Sequence, residues 1–277
     1  MNLTMSKLVT KTISSLKAEG LRATSKKVGA HLLDPIQRKT FEMRRLALDF
    51  ERRRLASDFE RRTLALEGIQ DRFTWIYRNN FWGSEESVSG PGSTIEYTTN
   101  LRAELPGLLA RYSVKTVFDA PCGDFNWMKI ALKENDLEYI GGDIVLPLVD
   151  SLNSKYKNFR TEFIHIDLTK DKLPKCDLMI CRDCLFHFSF DDTRRFLRNF
   201  VDSGIPLLLT TTHINAGKIQ NGDIRTGEFR LMDLFSEPYY FPRDVLHRIS
   251  DWVEPAPPRE MCLWSREQVM SALAAFG

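Results

Sequence analysis

Two apolar runs that each end in an aspartate constrain the fold of this chain most. The first, Val117-Phe-Asp119, leads through Pro121 and Gly123 into a short amphipathic segment. The second, Leu137-Glu-Tyr-Ile-Gly-Gly-Asp143, ends twenty-four residues after Asp119. A strand, a glycine-containing turn, a helix and a second strand ending in an acid form the layout of a nucleoside-binding α/β unit. In such a unit the second acid accepts hydrogen bonds from ribose hydroxyls.

Three further apolar runs follow at the spacing of an α/β domain. They lie around residues 163–168, 177–184 and 205–212, and helical patterns separate them. Buried parallel strands are continuous apolar runs because helices cover both faces of such a sheet. The five runs together therefore predict an α/β domain with a mostly parallel sheet.

The turn after the first run resembles motif I of the class I S-adenosylmethionine (SAM) methyltransferases, Asp/Glu-x-Gly-x-Gly-x-Gly. Asp119 takes the acidic position and Gly123 the central glycine, whereas Pro121 and Phe125 replace the outer two glycines. A dinucleotide site needs all three glycines to admit a pyrophosphate, and SAM has no pyrophosphate. The two departures therefore argue against a nicotinamide dinucleotide more than against SAM.

Longer blocks are similar to a bacterial family of class I methyltransferases over about residues 75–265. These blocks are Glu86–Ser93, Asp119–Met128, Tyr139–Val145, Leu173–Ser189 and Asn221–Gly227. The resemblance implies a Rossmann-like domain whose seven-stranded sheet closes with antiparallel strands near residues 246–253 and 260–264. It implies dependence on SAM but does not identify the methyl acceptor. Phe229 and Asp233 stand where the family usually has Trp and Asn, so the acceptor could differ if they line its pocket.

The resemblance also implies where SAM would be held. Residues after the third strand would flank the adenine, and those after the fourth would lie under the methyl group. The implied cofactor-binding residues are Asp119, Pro121, Gly123, Asp143, Ile144, Asp167, Leu168 and Arg182. Upstream, residues 90–94 with Thr98 could close over the methionine part of SAM or form a plain turn.

Three residues at the carboxyl ends of the predicted strands could remove a proton from a hydroxyl acceptor: Asp183, His187 and His213. His187 is favoured because it lies one helical turn after Asp183, whose carboxylate could orient the imidazole if the segment is helical. A capping or packing role for His187 fits the same pattern. Arg182 could bind an anionic acceptor or pair with Asp183.

A long polar stretch, residues 213–242, is interpreted as an acceptor-binding lid, because loops of this length in compact domains are usually functional or disordered. Asn221, Arg230 and Asp233 are its expected acceptor contacts, and such side chains suit a sugar or a carboxylate. Methyltransferases of nucleobase or glutamine amino groups resemble one another in an Asn/Asp-Pro-Pro-Tyr/Phe motif, which is missing after the fourth strand here. We therefore expect O-methylation of a glycan or sugar-containing acceptor, with a small polar metabolite or a non-catalytic scaffold as alternatives.

Residues 36–79 are predicted to form one long helix. Two near copies, Leu46–Arg54 and Leu55–Thr63, continue without proline or glycine as far as Gly68. A heptad-like apolar stripe runs through Leu48, Leu55, Phe59, Leu66, Ile69, Phe73 and Ile76. A coiled coil over residues 35–74 would join chains into a homo-oligomer and precede the methyltransferase domain at residues 75–277. The alternative is a single helix packed along its own domain.

Charge is distributed unevenly along the chain. Residues 1–33 hold six lysines and arginines against one glutamate, whereas residues 68–277 hold twenty-four against twenty-nine acids. The segment 1–34 is therefore a basic, weakly amphipathic tail that could touch an anionic membrane from its inner face. The acidic balance of the remainder argues against a nucleic-acid partner.

Cysteine usage and hydropathy indicate a cytoplasmic protein. No apolar run is long enough to cross a membrane, and the N-terminus lacks the features of a signal peptide. The five cysteines are an odd number and are interpreted as reduced thiols. Cys181-x-x-Cys184-x-x-His187 is not expected to hold a metal, because Cys181 should face the core of a buried strand.

Overall fold

The computed structural model describes residues 60–63, 65–66, 68–133 and 136–276. Residues 1–59 lie outside this described part, so the coiled coil, the homo-oligomer and the membrane contact of the basic tail stay predictions. Within the described part, no helix is both long enough and apolar enough to cross a membrane.

A seven-stranded sheet organises the domain, which confirms the predicted mostly parallel α/β architecture. The strands are β1 Thr116–Asp119, β2 Glu138–Asp143, β3 Thr161–His165, β4 Leu178–Cys181, β5 Leu207–His213, β6 His247–Ser250 and β7 Arg259–Ser265. Their order in the sheet is β3-β2-β1-β4-β5-β7-β6. Strands β1 to β5 pair in parallel, and β7 runs antiparallel to both β5 and β6. The two closing strands lie where the resemblance implied them.

Helices cover both faces of this sheet. They are α1 Ile69–Arg78, α2 Thr99–Arg111, α3 Met128–Ala131, α4 Leu146–Tyr156, α5 Phe190–Ser203 and α6 Arg266–Ala275. Met179 of β4 packs in the apolar cluster that contains α5 and α6, whereas its neighbours Leu178 and Ile180 pack in the cluster that contains α2 and α4. Because successive strand residues point to opposite faces, one buried strand contributes side chains to the apolar clusters on both faces of the sheet.

Helix α5 shows how the local sequence fixes an element. The side chain of Ser189 accepts a hydrogen bond from the backbone N–H of Asp192 and caps the first turn. Phe196 and Phe200, four residues apart, are fully buried against the sheet. Gly204 ends the helix with φ +78°, a conformation that a side chain disfavours.

The end of β2 depends on two glycines. A Cβ at Gly141 would lie 2.5 Å from the ring of Phe163, and one at Gly142 would lie 2.7 Å from the ring of Phe118. The aromatic rings therefore occupy the space that side chains on these two residues would need. This close packing brings Asp143 to the same edge of the sheet as Asp119, at the carboxyl ends of parallel strands.

The predicted long helix does not continue into the domain. Residues 60–63 are helical, the chain leaves the helix at Ala65 and Leu66, and α1 begins at Ile69. At the break, Nε of Arg72 donates to the carbonyl oxygen of Leu66 over 3.1 Å. Ile76 is buried, so the last part of the apolar stripe packs on this domain. The predicted boundary at residue 75 falls inside α1, which spans Ile69–Arg78.

Candidate functional site

A cleft at the carboxyl ends of β1 to β4 encloses about 1030 Å³ when the open solvent at its mouth is included. Its strand side is lined by Asp119, Pro121, Cys122, Gly123, Gly142, Asp143, Ile144, Val145, Leu148, Ile166, Asp167 and Leu168. Six further lining residues, here called the aromatic end, are Ile69, Phe73, Tyr77, Trp82, His187 and Phe188. Val88, Ser89, Ser93, Trp127, Arg182, Asp183 and Cys184 complete the lining.

Asp143 ties the turn after β1 to the end of β2. One of its oxygens accepts the backbone N–H of Gly123 at 3.2 Å, and the other accepts the N–H of Val145 at 3.0 Å. Burial raises the pKa of Asp143 to about 6 despite these hydrogen bonds. Each carboxylate oxygen keeps a further lone pair, so Asp143 can accept two more hydrogen bonds from a ligand.

Asp119 lies deeper in the same cleft. Its carboxylate accepts a hydrogen bond from the hydroxyl of Tyr139 at 2.8 Å. Burial raises its pKa to about 7, although the Tyr139 hydroxyl and the positive charge of Arg182 act in the opposite direction. A cationic ligand beside this carboxyl would restore its charge.

Asp167 is the third acid of the strand side and is held differently. Its Oδ1 accepts the N–H and the hydroxyl of Thr169, at 2.9 and 2.7 Å, and its Oδ2 lies 3.1 Å from the ammonium of Lys170. Burial would raise the pKa of Asp167, but donation by Thr169 and contact with Lys170 lower it overall. Asp167 is therefore charged, and Oδ2 keeps room for a donor from a ligand.

The eight residues implied as cofactor-binding all line this one cleft, from Asp119 to Arg182. Phe125, which replaces one of the glycines of the turn, has a packing role. Phe125 takes a left-handed conformation, φ +60°, and its buried ring packs 4.9 Å from that of Tyr139 and 5.1 Å from that of Phe163. Aromatic packing stands here where the motif usually has a glycine.

A serine-containing loop, residues 87–89, forms hydrogen bonds with the turn after β1. The carboxylate of Asp124 accepts hydrogen bonds from the Ser87 hydroxyl at 3.0 Å and from the Val88 N–H at 3.1 Å. The hydroxyl of Ser89 accepts the N–H of Asp124 at 2.9 Å. Ser89 lies so close to Gly123 that a Cβ there would be 2.2 Å from its oxygen. Sequence reasoning missed Asp124, whose position beside the central glycine was its only signal.

Arg182 is held in a buried ion network beside the cleft. Its guanidinium pairs with both oxygens of Asp251, at 2.8 and 3.0 Å, and donates to the carbonyl oxygen of Gly92 at 2.8 Å. Its Nη1 also lies 3.5 Å from Asp183, which Arg259 contacts at 2.7 Å. Besides SAM binding, two roles were considered for Arg182: pairing with Asp183 and binding an anionic acceptor. The structure shows the pairing with Asp183. These contacts leave little of the guanidinium available for an anionic acceptor.

Asp183 does not orient His187 as the sequence predicted. The segment Leu185–His187 is a single 3-10 turn, and Asp183 has φ +52°. The Asp183 carboxylate instead accepts hydrogen bonds from Arg259 and from the hydroxyl of Thr211, at 2.7 and 3.1 Å. Burial would raise its pKa, but the guanidinium groups of Arg182 and Arg259 lower it overall. A carboxylate in this environment is a poor proton acceptor.

His187 is oriented by the backbone. Its Nδ1 lies 2.7 Å from the carbonyl oxygen of Glu228. Because a carbonyl can only accept, Nδ1 carries the hydrogen, and Nε2 of the neutral ring has the free lone pair. Burial lowers the pKa of His187 to about 4, so the ring is neutral near pH 7. A neutral imidazole with a fixed tautomer at the wall of a cleft can accept a proton through Nε2.

His213 is a weaker candidate for this chemistry. It is 2% exposed at the end of β5 and does not line the cleft. Its Nδ1 accepts the backbone N–H of Met232 at 3.2 Å, and its ring packs 5.3 Å from that of Phe186. These contacts fix the connection after β5 to the sheet.

The predicted acceptor contacts Asn221, Arg230 and Asp233 hold their own loop together. The Asn221 amide donates to the carbonyl oxygens of Asp233 and Glu237, at 2.8 and 2.7 Å. Asp233 accepts from Asn215 at 3.0 Å, and the guanidinium of Arg230 donates to the hydroxyl of Tyr239 at 2.6 Å. None of the three lines the cleft.

The connection 214–246, which includes most of the stretch interpreted as an acceptor-binding lid (residues 213–242), is anchored in the core. It contains no helix or strand, but its Met232, Leu234, Tyr239 and Phe241 are at most 2% exposed and belong to the core. Apolar side chains anchor the backbone, and polar side chains such as Asn221 and Asp233 form hydrogen bonds with it.

Helix α1 forms one wall of the cleft, although most of its residues were predicted to belong to a coiled coil. Ile69, Phe73 and Tyr77 line the cleft from successive turns of this helix. The guanidinium of Arg72 donates to the carbonyl oxygen of Thr226 at 2.9 Å, which ties α1 to the connection after β5. The apolar stripe was visible in the sequence, but its partner surface was not.

The cysteines are all free thiols. Across the described residues, no group of three or more His, Cys, Asp or Glu side chains is arranged to hold a metal ion. Cys181 is buried in β4, whereas Cys184 lies in the cleft wall.

Comparisons with known proteins identify the fold. No family model matches the sequence, and no curated protein matches it. A SAM-dependent methyltransferase from Leishmania major has a similar structure, with a TM-score of 0.54 and 12% identity over 72% of this chain and 84% of that chain. Magnesium protoporphyrin IX methyltransferase from Synechocystis, solved with bound S-adenosylhomocysteine (SAH), has a TM-score of 0.49 and 10% identity over 74% of this chain and 99% of that chain. The first of these similarities shows that this chain has the Rossmann-like fold of a SAM-dependent methyltransferase.

Proposed function

We propose that this chain is a SAM-dependent methyltransferase that methylates an oxygen acceptor. The observation that carries the proposal is the pairing of two features in one cleft. Asp119, Asp143 and Asp167 come together at the ends of adjacent strands, and the neutral imidazole of His187 lines the same cleft.

The strand side fits the donor groups of SAM. SAM carries a sulfonium, an ammonium, two ribose hydroxyls and an adenine amino group, all of which favour carboxylate neighbours. Asp143 has lone pairs for the ribose hydroxyls, Asp167 has Oδ2 for the adenine amino group, and Asp119 lies deepest, where a positive charge would offset its burial. Arg182 is the one basic side chain of the lining and is already paired, so the cleft suits a pyrophosphate poorly.

Bound SAM would supply an activated methyl group for in-line displacement by the acceptor. The protein's part is to align the acceptor oxygen, exclude water and receive the proton. His187 suits the last task, because its Nδ1 hydrogen is committed to Glu228 and its Nε2 lone pair remains available. Asp183 acts on this site through the Arg259 and Thr211 contacts that fix the backbone at the end of β4.

The predictions about the acceptor and about self-association have different support. The glycan acceptor rested on Asn221, Arg230 and Asp233, and these side chains are bonded within their own loop. A small polar metabolite or a scaffold without turnover remains an alternative. Self-association through the coiled coil predicted over residues 35–74 is a separate proposal, which light scattering on the full chain tests by counting subunits.

Titration with SAH tests the proposal. The intact protein should bind SAH with micromolar affinity, and Asp143→Asn should weaken binding about 100-fold, as expected for two hydrogen bonds to a charged group at about 1.5 kcal/mol each. Asp150→Asn, an exposed carboxylate on α4, is the matched control and should bind normally. Unchanged affinity in a folded Asp143 variant would contradict the ribose assignment, and absence of SAH binding to the intact protein would favour the scaffold.

A further inference from the structure

We propose that the acceptor is an aryl hydroxyl compound whose ring packs against Trp82 and Phe229 and whose hydroxyl meets Nε2 of His187. This inference rests on the proposed methyltransferase function and adds the substrate class. Its basis is the composition and geometry of the aromatic end of the cleft.

Three aromatic rings lie beside the imidazole of His187. The buried ring of Phe186 is 4.7 Å from the imidazole, centroid to centroid. The ring of Trp82 is 5.6 Å from the imidazole, with an interplanar angle of 33°. The ring of Phe229 is 5.9 Å away. Phe229 is not among the residues that line the cleft; its ring is 43% exposed and contacts the imidazole of His187, which does line it. Ring pairs of this kind contribute attraction beyond their buried area.

The aromatic end offers few hydrogen bonds. The side chains of Ile69, Phe73 and Phe188 have no hydrogen-bond donor or acceptor. The side-chain groups that can hydrogen-bond are the Tyr77 hydroxyl, the Trp82 indole N–H and Nε2 of His187. A sugar brings several hydroxyls into the site, and each one that loses water without gaining a partner weakens binding. A planar ring with a single hydroxyl at His187 leaves no such group unpaired.

The acid-base properties of His187 agree with this class. Its lowered pKa of about 4 makes it a weak base. A phenolic hydroxyl ionises near pH 10, as in tyrosine, whereas water ionises at about 15.7. Proton transfer to a weak base is far less unfavourable from a phenol than from an alcohol-like hydroxyl.

The transfer step balances with these groups alone. The acceptor oxygen forms a bond to the methyl carbon as the carbon–sulfur bond of the donor breaks, and the sulfur keeps the electron pair to give neutral SAH. The acceptor proton passes to Nε2 of His187 and later to solvent. No oxidant, reductant or metal ion takes part in this balance.

Calorimetric titration of the full-length protein, saturated with SAH, tests the proposal with two probes that share one carbon skeleton. 2-Naphthol should bind about fivefold or more tightly than its saturated counterpart, decahydro-2-naphthol, although the saturated compound is the more apolar. Phe229→Leu should weaken 2-naphthol about threefold to tenfold while leaving SAH affinity unchanged. Phe159→Ala, at a residue 90% exposed, is the control and should alter neither.

With SAM in place of SAH, mass spectrometry should detect 2-methoxynaphthalene. Equal or tighter binding of decahydro-2-naphthol, no effect of Phe229→Leu, or methylation of methyl glucoside but not of 2-naphthol would each overturn the aryl assignment and leave the methyltransferase proposal intact. Failure of SAH to bind would instead overturn the proposed function, and the aryl assignment with it.

Discussion

Replacing Asp119 with asparagine is expected to make the ligand-free protein more stable at pH 8. Asp119 is 3% exposed, and burial raises its pKa from 3.8 to about 7. A carboxyl whose pKa is higher in the folded state stabilises the fold at low pH, and this contribution is lost as pH rises through the folded value. The loss begins near pH 4 and is nearly complete above about pH 7.

The magnitude follows from the two pKa values. At about 1.4 kcal/mol per pKa unit, ionising Asp119 costs the folded protein about 4 kcal/mol at pH 8 but only about 1.5 kcal/mol at pH 5. The asparagine oxygen can still accept a hydrogen bond from the Tyr139 hydroxyl. Burying the amide N–H groups without acceptors costs about 1–3 kcal/mol, which offsets part of the gain at either pH. The stability gap between variant and wild type should therefore grow by about 2–3 kcal/mol between pH 5 and pH 8.

Urea unfolding at the two pH values measures this gap by linear extrapolation. Asp202→Asn, at an exposed carboxylate on α5, is the matched control and should show a gap that does not change with pH. A pH-independent gap for Asp119→Asn, or one that narrows toward pH 8, would refute the reasoning that burial destabilises this carboxylate.

Three further substitutions test separate parts of the account. Gly123→Ala should lower the free energy of unfolding by about 1–3 kcal/mol, because Gly123 has φ +54° and a Cβ would meet Ser89; an unchanged urea midpoint would contradict that close approach. Asp251→Asn should cost about 3–5 kcal/mol, since it removes the bidentate partner of the buried Arg182; a loss below about 1 kcal/mol in the same assay would count against the ion network. His187→Gln should slow methyl transfer about 100- to 10,000-fold with SAH affinity unchanged; parallel loss of SAH binding would assign His187 a structural role.

The sheet and the strand side of the cleft were predictable from the sequence, because both follow from short-range patterns. Apolar runs specify buried strands, and the acids that end them lie at one edge once the strands pair in parallel. Asp119, Asp143 and Asp167 therefore meet in the cleft as the spacing indicated.

Long-range pairing was not predictable in the same way. The ion network joins Arg182 to Asp251 across 69 positions of sequence, and no local pattern marks that contact. The carbonyl oxygen of Glu228 that orients His187 is a backbone group, which every residue has and no sequence motif distinguishes. Polar residues of the connection after β5 were assigned to an acceptor for the same reason, since their partners were invisible in the sequence.

Helix α1 shows a related failure of pattern reasoning. An apolar stripe states that one face of a helix will be buried but not against what. The coiled-coil interpretation extended through Ile69, Phe73 and Ile76, whereas these residues pack on the domain, and the first two line the cleft. Gly68 is the first glycine in the predicted long helix, and α1 begins directly after it.

A crystal structure of the protein with SAH tests the central claim most directly, because it locates the ligand and the His187 wall in one measurement. The account predicts ribose hydroxyls within hydrogen-bond distance of the Asp143 carboxylate, the adenine beside Asp167 and Leu168, and the SAH sulfur facing the aromatic end. SAH bound elsewhere, or bound here with its ribose away from Asp143, would contradict it.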